Sequence, residues 1–201
     1  SSLLPLFKNE KEHEDWLKSK AKFATETKAL NKGKQQVVIG IDSGSTTTKI
    51  VAVRVNTETP TGDIVFTNYR LNLGNPIKAV ADGLNALKQE AALRGAELEI
   101  VGSCSTGYGE ELIKAAFGLD SGIIETMAHE RAAASLMPDV SFILDIGGQD
   151  MKAIFVEKGA VVRMELNEAC SSGCGTFIQT FANNMGYSVG DFAQLACQSK
   201  A

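Results

Sequence analysis

Hydrophobic and polar positions alternate most clearly over residues 37–53, where two runs of β-branched and apolar side chains flank a short polar stretch. The first run, Val37-Val-Ile-Gly-Ile, reads as a strand, and Thr46 to Val53 reads as a second one. Between them stands Asp42-Ser-Gly-Ser-Thr, in which Gly44 lacks a side chain where the backbone must reverse. Further along, residues 64–71 form a third strand after a turn containing Pro60 and Gly62. Pro76 opens a helix with apolar residues at Ile77, Val80, Ala81, Leu84, Leu87, Ala91 and Leu93, a 3.6-residue period that Gly95 ends. Residues 97–102 make a short apolar strand, 103–109 a Gly/Ser-rich loop and 110–117 a helix. Ile123 and Ile124 are expected as a fifth short strand, followed by a helix over 125–136 that Pro138 stops. Its His129 reads as a surface or capping histidine, because no second histidine lies at ligand spacing.

Residues 140–156 then repeat the opening design: an apolar strand, Asp145, a glycine turn through Gly147 and Gly148, and a second strand. Two such turns, about a hundred residues apart, match the spacing of two related α/β lobes. Facing each other across a cleft, they would hold the phosphates of one nucleotide between hydroxyls and backbone N–H groups. Asp42 adds a carboxylate suited to magnesium held through water. Other phosphate loops fail: Lys49 lies between Thr48 and Ile50, so no P-loop is present, and the glycines of a dinucleotide fingerprint would open a helix where this chain continues as a strand. An ordinary hairpin with a Ser/Thr-rich turn is the plainer alternative for the first copy.

Residues 1–36 differ from the rest. They are densely charged, with Leu6, Phe7, Trp16, Leu17, Phe23 and Leu30 as scattered apolar anchors, and read as a helical connector laid on the surface of the domain. The boundaries expected are a connector over 1–36, a first lobe over 37–138 and the opening of a second over 139–201. Among 201 residues, 44% hydrophobic, the net charge of −4 supplies no basic field for nucleic acid, so no nucleic-acid partner is expected. No run approaches the length of a membrane span and no signal peptide opens the chain, so no membrane partner and a cytoplasmic location are expected. Cys104, Cys170, Cys174 and Cys197 are too few and too spread for a disulfide framework.

Gly40-Ile-Asp-Ser-Gly-Ser-Thr-Thr-Thr-Lys49 and Asp145-Ile-Gly-Gly-Gln-Asp150 resemble the two phosphate loops of the acetate and sugar kinase, Hsp70 and actin superfamily. With Ser105-Thr-Gly-Tyr-Gly109 and Asn167-Glu-Ala-Cys-Ser-Ser-Gly-Cys-Gly-Thr-Phe177, the likeness narrows to the ATP-dependent activators of 2-hydroxyacyl-CoA dehydratases and the related benzoyl-CoA reductase ATPase subunits. The resemblance implies a ribonuclease H-like, actin-like α/β ATPase lobe, its mixed sheet flanked by helices, and an incomplete second lobe. It implies ATP and magnesium as cofactors, with Asp42, Asp145 and Gln149 catalytic and Ser43, Gly44, Ser45, Thr46, Thr47, Lys49, Gly147 and Gly148 around the nucleotide. In that family a homodimer shares one [4Fe–4S] cluster, and ATP hydrolysis drives electrons to an acyl-CoA dehydratase or reductase.

Cys170 matches the family's second cluster ligand, ahead of a helix whose N-terminal dipole favours a thiolate. The first ligand position, before His129-Glu-Arg131, holds Ala128, and Cys174 is the replacement on offer. Cys174 also heads an apolar period with Phe177, Ile178, Phe181 and Met185 that would face a core, and Cys104 and Cys197 read as structural. Nothing after Gly190 has the glycine-rich turns that bind adenine and ribose in this superfamily. An excised segment of a long multidomain activator is therefore expected, with little or no ATPase activity by itself. Two further readings stand beside an iron–sulfur activator: a non-catalytic docking module, and a phosphotransferase of the sugar or acetate kinase type.

Overall fold

In a computed structural model of the chain, the residues described are 7–56, 61–167 and 174–198. Two sheets meet near the middle of the sequence. The first is built from β1 (Gly33–Ser43), β2 (Thr47–Arg54), β3 (Asp63–Leu71), β4 (Ala96–Thr106) and β5 (Ser121–Gly122), in the order β3-β2-β1-β4-β5. β1, β2 and β3 form an antiparallel meander, and β4 runs parallel to β1.

Alternation decides which face is buried. Val37, Ile39 and Ile41 of β1 and Ile50 and Ala52 of β2 turn inward, where α2 (Pro76–Arg94) covers them with Val80, Leu87 and Ala91. Asn75 caps α2 by accepting a hydrogen bond from the Lys78 N–H, Pro76 occupies its first turn, and Gly95 ends it in the left-handed conformation. α2 lies so close to β2 that a Cβ on Gly83 would stand 2.4 Å from Ile50 Cδ1. Ile113 of α3 (Glu110–Phe117) completes this core.

Three boundaries differ most from the sequence expectation: β1 already opens at Gly33, inside the expected connector, and β4 and β5 are shifted too. β4 continues to Thr106, so residues 103–106 are strand: the parallel ladder with β1 runs on to Asp42 and satisfies their backbone groups. β5 is Ser121–Gly122, just before Ile123 and Ile124. Ile123 donates its N–H to the Ser105 carbonyl at 2.9 Å, and Ile124 is the residue before α4 (Glu125–Leu136).

The second sheet is an antiparallel meander of β6 (Phe142–Ile146), β7 (Met151–Glu157) and β8 (Ala160–Asn167). β8 was not expected; all eight of its residues are exposed, so it lacks the apolar and polar alternation that marks a half-buried strand. α5 (Gly175–Asn184) and α6 (Val189–Gln198) follow. Of the apolar period expected on α5, Cys174 is buried and Phe177 half-buried, whereas Ile178, Phe181 and Met185 are exposed.

At the other end, α1 (Glu10–Ala21) buries none of its residues. Phe7 and His13 stack with ring centres 4.8 Å apart, and Phe7 and Trp16 lie 5.6 Å apart, so these rings pack on one another. Trp16 and Leu17 are therefore not anchors to the sheet. Attachment begins near Lys28, whose N–H donates to the Ile64 carbonyl and whose ammonium lies 2.7 Å from Asp63; Leu30 then enters the core. Leu6 and Pro60 lie outside the described residues. No helix among the described residues is long and apolar enough to cross a membrane.

Candidate functional site

Each sheet ends one strand in an aspartate followed by a tight turn. In the first, the Gly44 N–H donates to the Thr47 carbonyl at 2.9 Å, closing the reversal between β1 and β2. Asn72, almost fully buried after β3, holds this turn from behind: its Nδ2 donates to the Gly44 carbonyl at 2.8 Å, its Oδ1 accepts from Thr48 Oγ1 at 2.6 Å, and its N–H donates to the Thr46 carbonyl. Nothing in the local pattern singled out Asn72, because an asparagine between a strand and a proline-led helix is ordinary turn chemistry.

The loop after β4 clasps the same turn. Gly109 donates its N–H to the Ser43 carbonyl at 2.9 Å. Gly107 has φ +88, and a Cβ there would lie 2.7 Å from the Ser43 carbonyl oxygen, so only glycine allows this approach. Ser43 is completely buried under the loop, which removes it from the set of hydroxyls expected around a phosphate. Ser45, Thr46 and Thr47 remain at the surface of the turn.

In the second copy, the Gly147 N–H donates to the Asp150 carbonyl at 3.0 Å. The start of α5 is stitched to this turn: Gly175 and Thr176 donate backbone N–H groups to the Gly147 and Gly148 carbonyls, and Thr176 Oγ1 also donates to Gly148.

Both turns line one polar cleft of about 160 Å³. Asp42, Gly44, Ser45, Thr46, Thr47 and Lys49 form one wall, and Asp145, Gly147, Gly148 and Gln149 the other. Every expected phosphate-loop residue except Ser43 is thus brought to one place. Tyr108, Glu125 and His129 also line it, and sequence reasoning missed these three. A larger groove of about 490 Å³ between α2 and β4 has one charged side chain, Lys88, in an otherwise apolar lining and offers no comparable chemistry.

Lysines balance the carboxylates. Lys49 Nζ lies 2.8 Å from Asp42 Oδ2. Burial is the largest single influence and would lower the Lys49 pKa, but the hydrogen bond and charge attraction of Asp42, joined by Tyr69 and Glu125, together raise it above the ordinary lysine value. Lys152, only 10% exposed, lies 2.9 Å from Glu125, 3.1 Å from Asp150 and 3.8 Å from Asp145. Burial again lowers and the hydrogen bonds to Glu125 and Asp150 raise, leaving a firmly charged ammonium. His129 corrects the sequence reading. It does not cap a helix at the surface: its Nδ1 is buried 3.2 Å from Asp145 Oδ2, and the donor atoms of Glu125, His129 and Asp145 all lie within 4.8 Å of one another.

The profile of the BadF/BadG/BcrA/BcrD ATPase family matches residues 39–201, which takes in both aspartate turns. The chain belongs to this family. Within it, the chain is 28% identical over 161 residues to the (R)-2-hydroxyglutaryl-CoA dehydratase activating ATPase of Acidaminococcus fermentans, covering 80% of this chain and 58% of that protein. It is 29% identical over 160 residues to the activator of lactoyl-CoA dehydratase of Anaerotignum propionicum, covering 78% and 57%. Among solved structures, the activator of 2-hydroxyisocaproyl-CoA dehydratase from Clostridium difficile with bound ADPNP superposes with a TM-score of 0.69 at 27% identity, over 82% of this chain and 58% of that one. The chain therefore spans somewhat under three fifths of the length of each of these relatives.

The carboxylate oxygens of Asp42 and Asp145 are of the kind that suit a hard cation such as magnesium. Thiol donors for an iron–sulfur cluster fit less well. Ala128 carries none, Cys174 is fully buried at the N-terminus of α5 with no surface for a second subunit to meet, and Cys170 lies outside the described residues.

Proposed function

We propose that this chain forms the phosphate-holding part of an ATP-hydrolysing activator that serves an acyl-CoA dehydratase or reductase. The observation carrying this reading is the meeting of the two aspartate turns in one cleft, with Lys49 at its wall. Backbone N–H groups and hydroxyls of Ser45, Thr46 and Thr47 hold phosphate oxygens from one side, and Gly147 and Gly148 from the other. Lys49 offsets negative charge on the phosphates. Asp145, with Gln149 beside it, orients the attacking water. Asp42 would hold magnesium through water, and the ion would supply charge neutralisation for the phosphates. The acyl-CoA enzyme as partner rests on the names of the relatives, which are activators of acyl-CoA dehydratases.

The test is ATP hydrolysis by the full-length protein and its Asp145→Ala variant. The variant is expected to keep its thermal transition and lose hydrolysis by at least about 100-fold, the scale of removing a positioned acid or base. Hydrolysis at the parental rate would remove Asp145 from the chemistry.

Electron transfer through a cluster shared by two subunits is the finer part of this reading, and it requires Cys170. Ala128 and the enclosed Cys174 favour a second reading, in which the ATPase fold docks within a larger activator without holding a cluster. Iron content of anaerobically prepared full-length protein, with and without Cys170→Ala, separates the two. Stoichiometric iron that the substitution abolishes supports the cluster, and iron-free protein supports docking.

A further inference from the structure

We infer that His129 is the positioning residue for Asp145, an inference that rests on the ATPase reading of the cleft. Three observations on one side chain lead to it. Its Nδ1 is buried, so water does not satisfy it, and no hydrogen-bond partner meets it among the described residues. The same atom lies 3.2 Å from Asp145 Oδ2, within reach but with the ring not aligned on the oxygen. Finally, the ring enters the cleft between the two turns from α4, an element that belongs to neither.

A buried ring nitrogen shut off from water loses free energy unless it meets a partner, and the Asp145 carboxylate is the group within its reach. In the tautomer with its proton on Nδ1, His129 donates to Oδ2 and leaves Oδ1 of Asp145 to face a water. Lys152 competes for the same oxygen from 3.8 Å away and is already engaged by Glu125 and Asp150. Without the imidazole, Asp145 is free to turn toward that ammonium and away from the cleft. His129 itself touches neither phosphate nor water in this scheme. A neutral donor at that position suffices, and its positive charge is not needed.

Steady-state ATP hydrolysis by the full-length protein and its His129→Leu, His129→Asn and Asp145→Ala variants tests this, with thermal transitions measured alongside. His129→Leu should lower kcat by about 10- to 100-fold, the usual effect of removing a partner that orients an acting group, with KM for ATP within about twofold. His129→Asn places an amide N–H near the Nδ1 position and should recover most of the lost kcat. A His129→Leu enzyme at the parental rate, beside an inactive Asp145→Ala, overturns the inference and leaves the ATPase reading standing. An Asn variant as slow as the Leu variant overturns it also, because a donor was restored without effect. Full activity of Asp145→Ala overturns the ATPase assignment of Asp145 and this inference with it.

Discussion

Asp42 and Lys49 face each other across the β1–β2 ladder as direct register partners, with Oδ2 and Nζ 2.8 Å apart. Asp145 and Lys152 are register partners across β6 and β7 in the same way, at 3.8 Å. Each half of the chain thus sends one strand into the cleft with an aspartate at its end and returns on a lysine opposite it. The copies differ in solvent access. Lys49 is half-exposed and reachable from the cleft, whereas Lys152 is enclosed by three carboxylates and ties the second turn to α4.

That difference separates the roles of the two lysines. Lys49→Ala is expected to weaken ATP binding by the full-length protein about 10- to 100-fold, the worth of one hydrogen bond to a charged group. Its thermal transition should scarcely move, because an exposed ion pair contributes little to stability. Calorimetric titration with MgATP measures the affinity, and an unchanged dissociation constant would exclude Lys49 from phosphate binding.

Gly107→Ala should disturb the first phosphate turn without touching a ligand. The substituted residue would hold a left-handed backbone and press its methyl group against the Ser43 carbonyl, a strain of about 1–3 kcal/mol. A lower thermal midpoint together with weaker ATP binding is expected. A neutral substitution would mean that the 107–109 loop is not fixed against the turn.

Asp63 links stability to acid. The hydrogen bond from Lys28, then that from Arg54, holds its carboxyl below the ordinary aspartate value. A depressed pKa contributes stability above the unfolded value of about 3.9 and loses it as pH falls through the lower folded value. Asp63→Asn should therefore be less stable than the parent at neutral pH, with the difference closing as pH drops below about 4. Urea midpoints across that range decide the matter, and a constant gap would show that charge is not involved.

Removal of α1 tests where the N-terminal segment becomes part of the domain. Deleting residues 7–24 should leave the thermal midpoint nearly unchanged, since α1 buries nothing. Leu30→Ala, by contrast, should cost about 2–5 kcal/mol, as for other buried leucines. A large loss on deleting 7–24 would show that the stacked Phe7, His13 and Trp16 rings support the sheet.

The chain's own sequence was enough to determine its strands and helices where a pattern repeats within one element. Val37, Ile39 and Ile41 alternate, α2 carries its period between Asn75 and Gly95, and both aspartate turns declare themselves by a glycine after an apolar strand. β8 was not legible, because an exposed strand is held by backbone hydrogen bonds to β7 and needs no apolar alternation. Nor was the extent of β4, whose last residues are polar and stay in the sheet only because β1 runs beside them. Only tertiary structure decided that Ser43 faces inward under Gly107 and Gly109, that Asn72 braces the first turn, and that Glu125 and His129 join Asp145 and Lys152. Local periodicity reports which face of an element avoids water. Which polar groups from different elements come to share a cleft depends on how sheets and helices pack, and a lone histidine on a helix carries no local sign of the carboxylate it will meet.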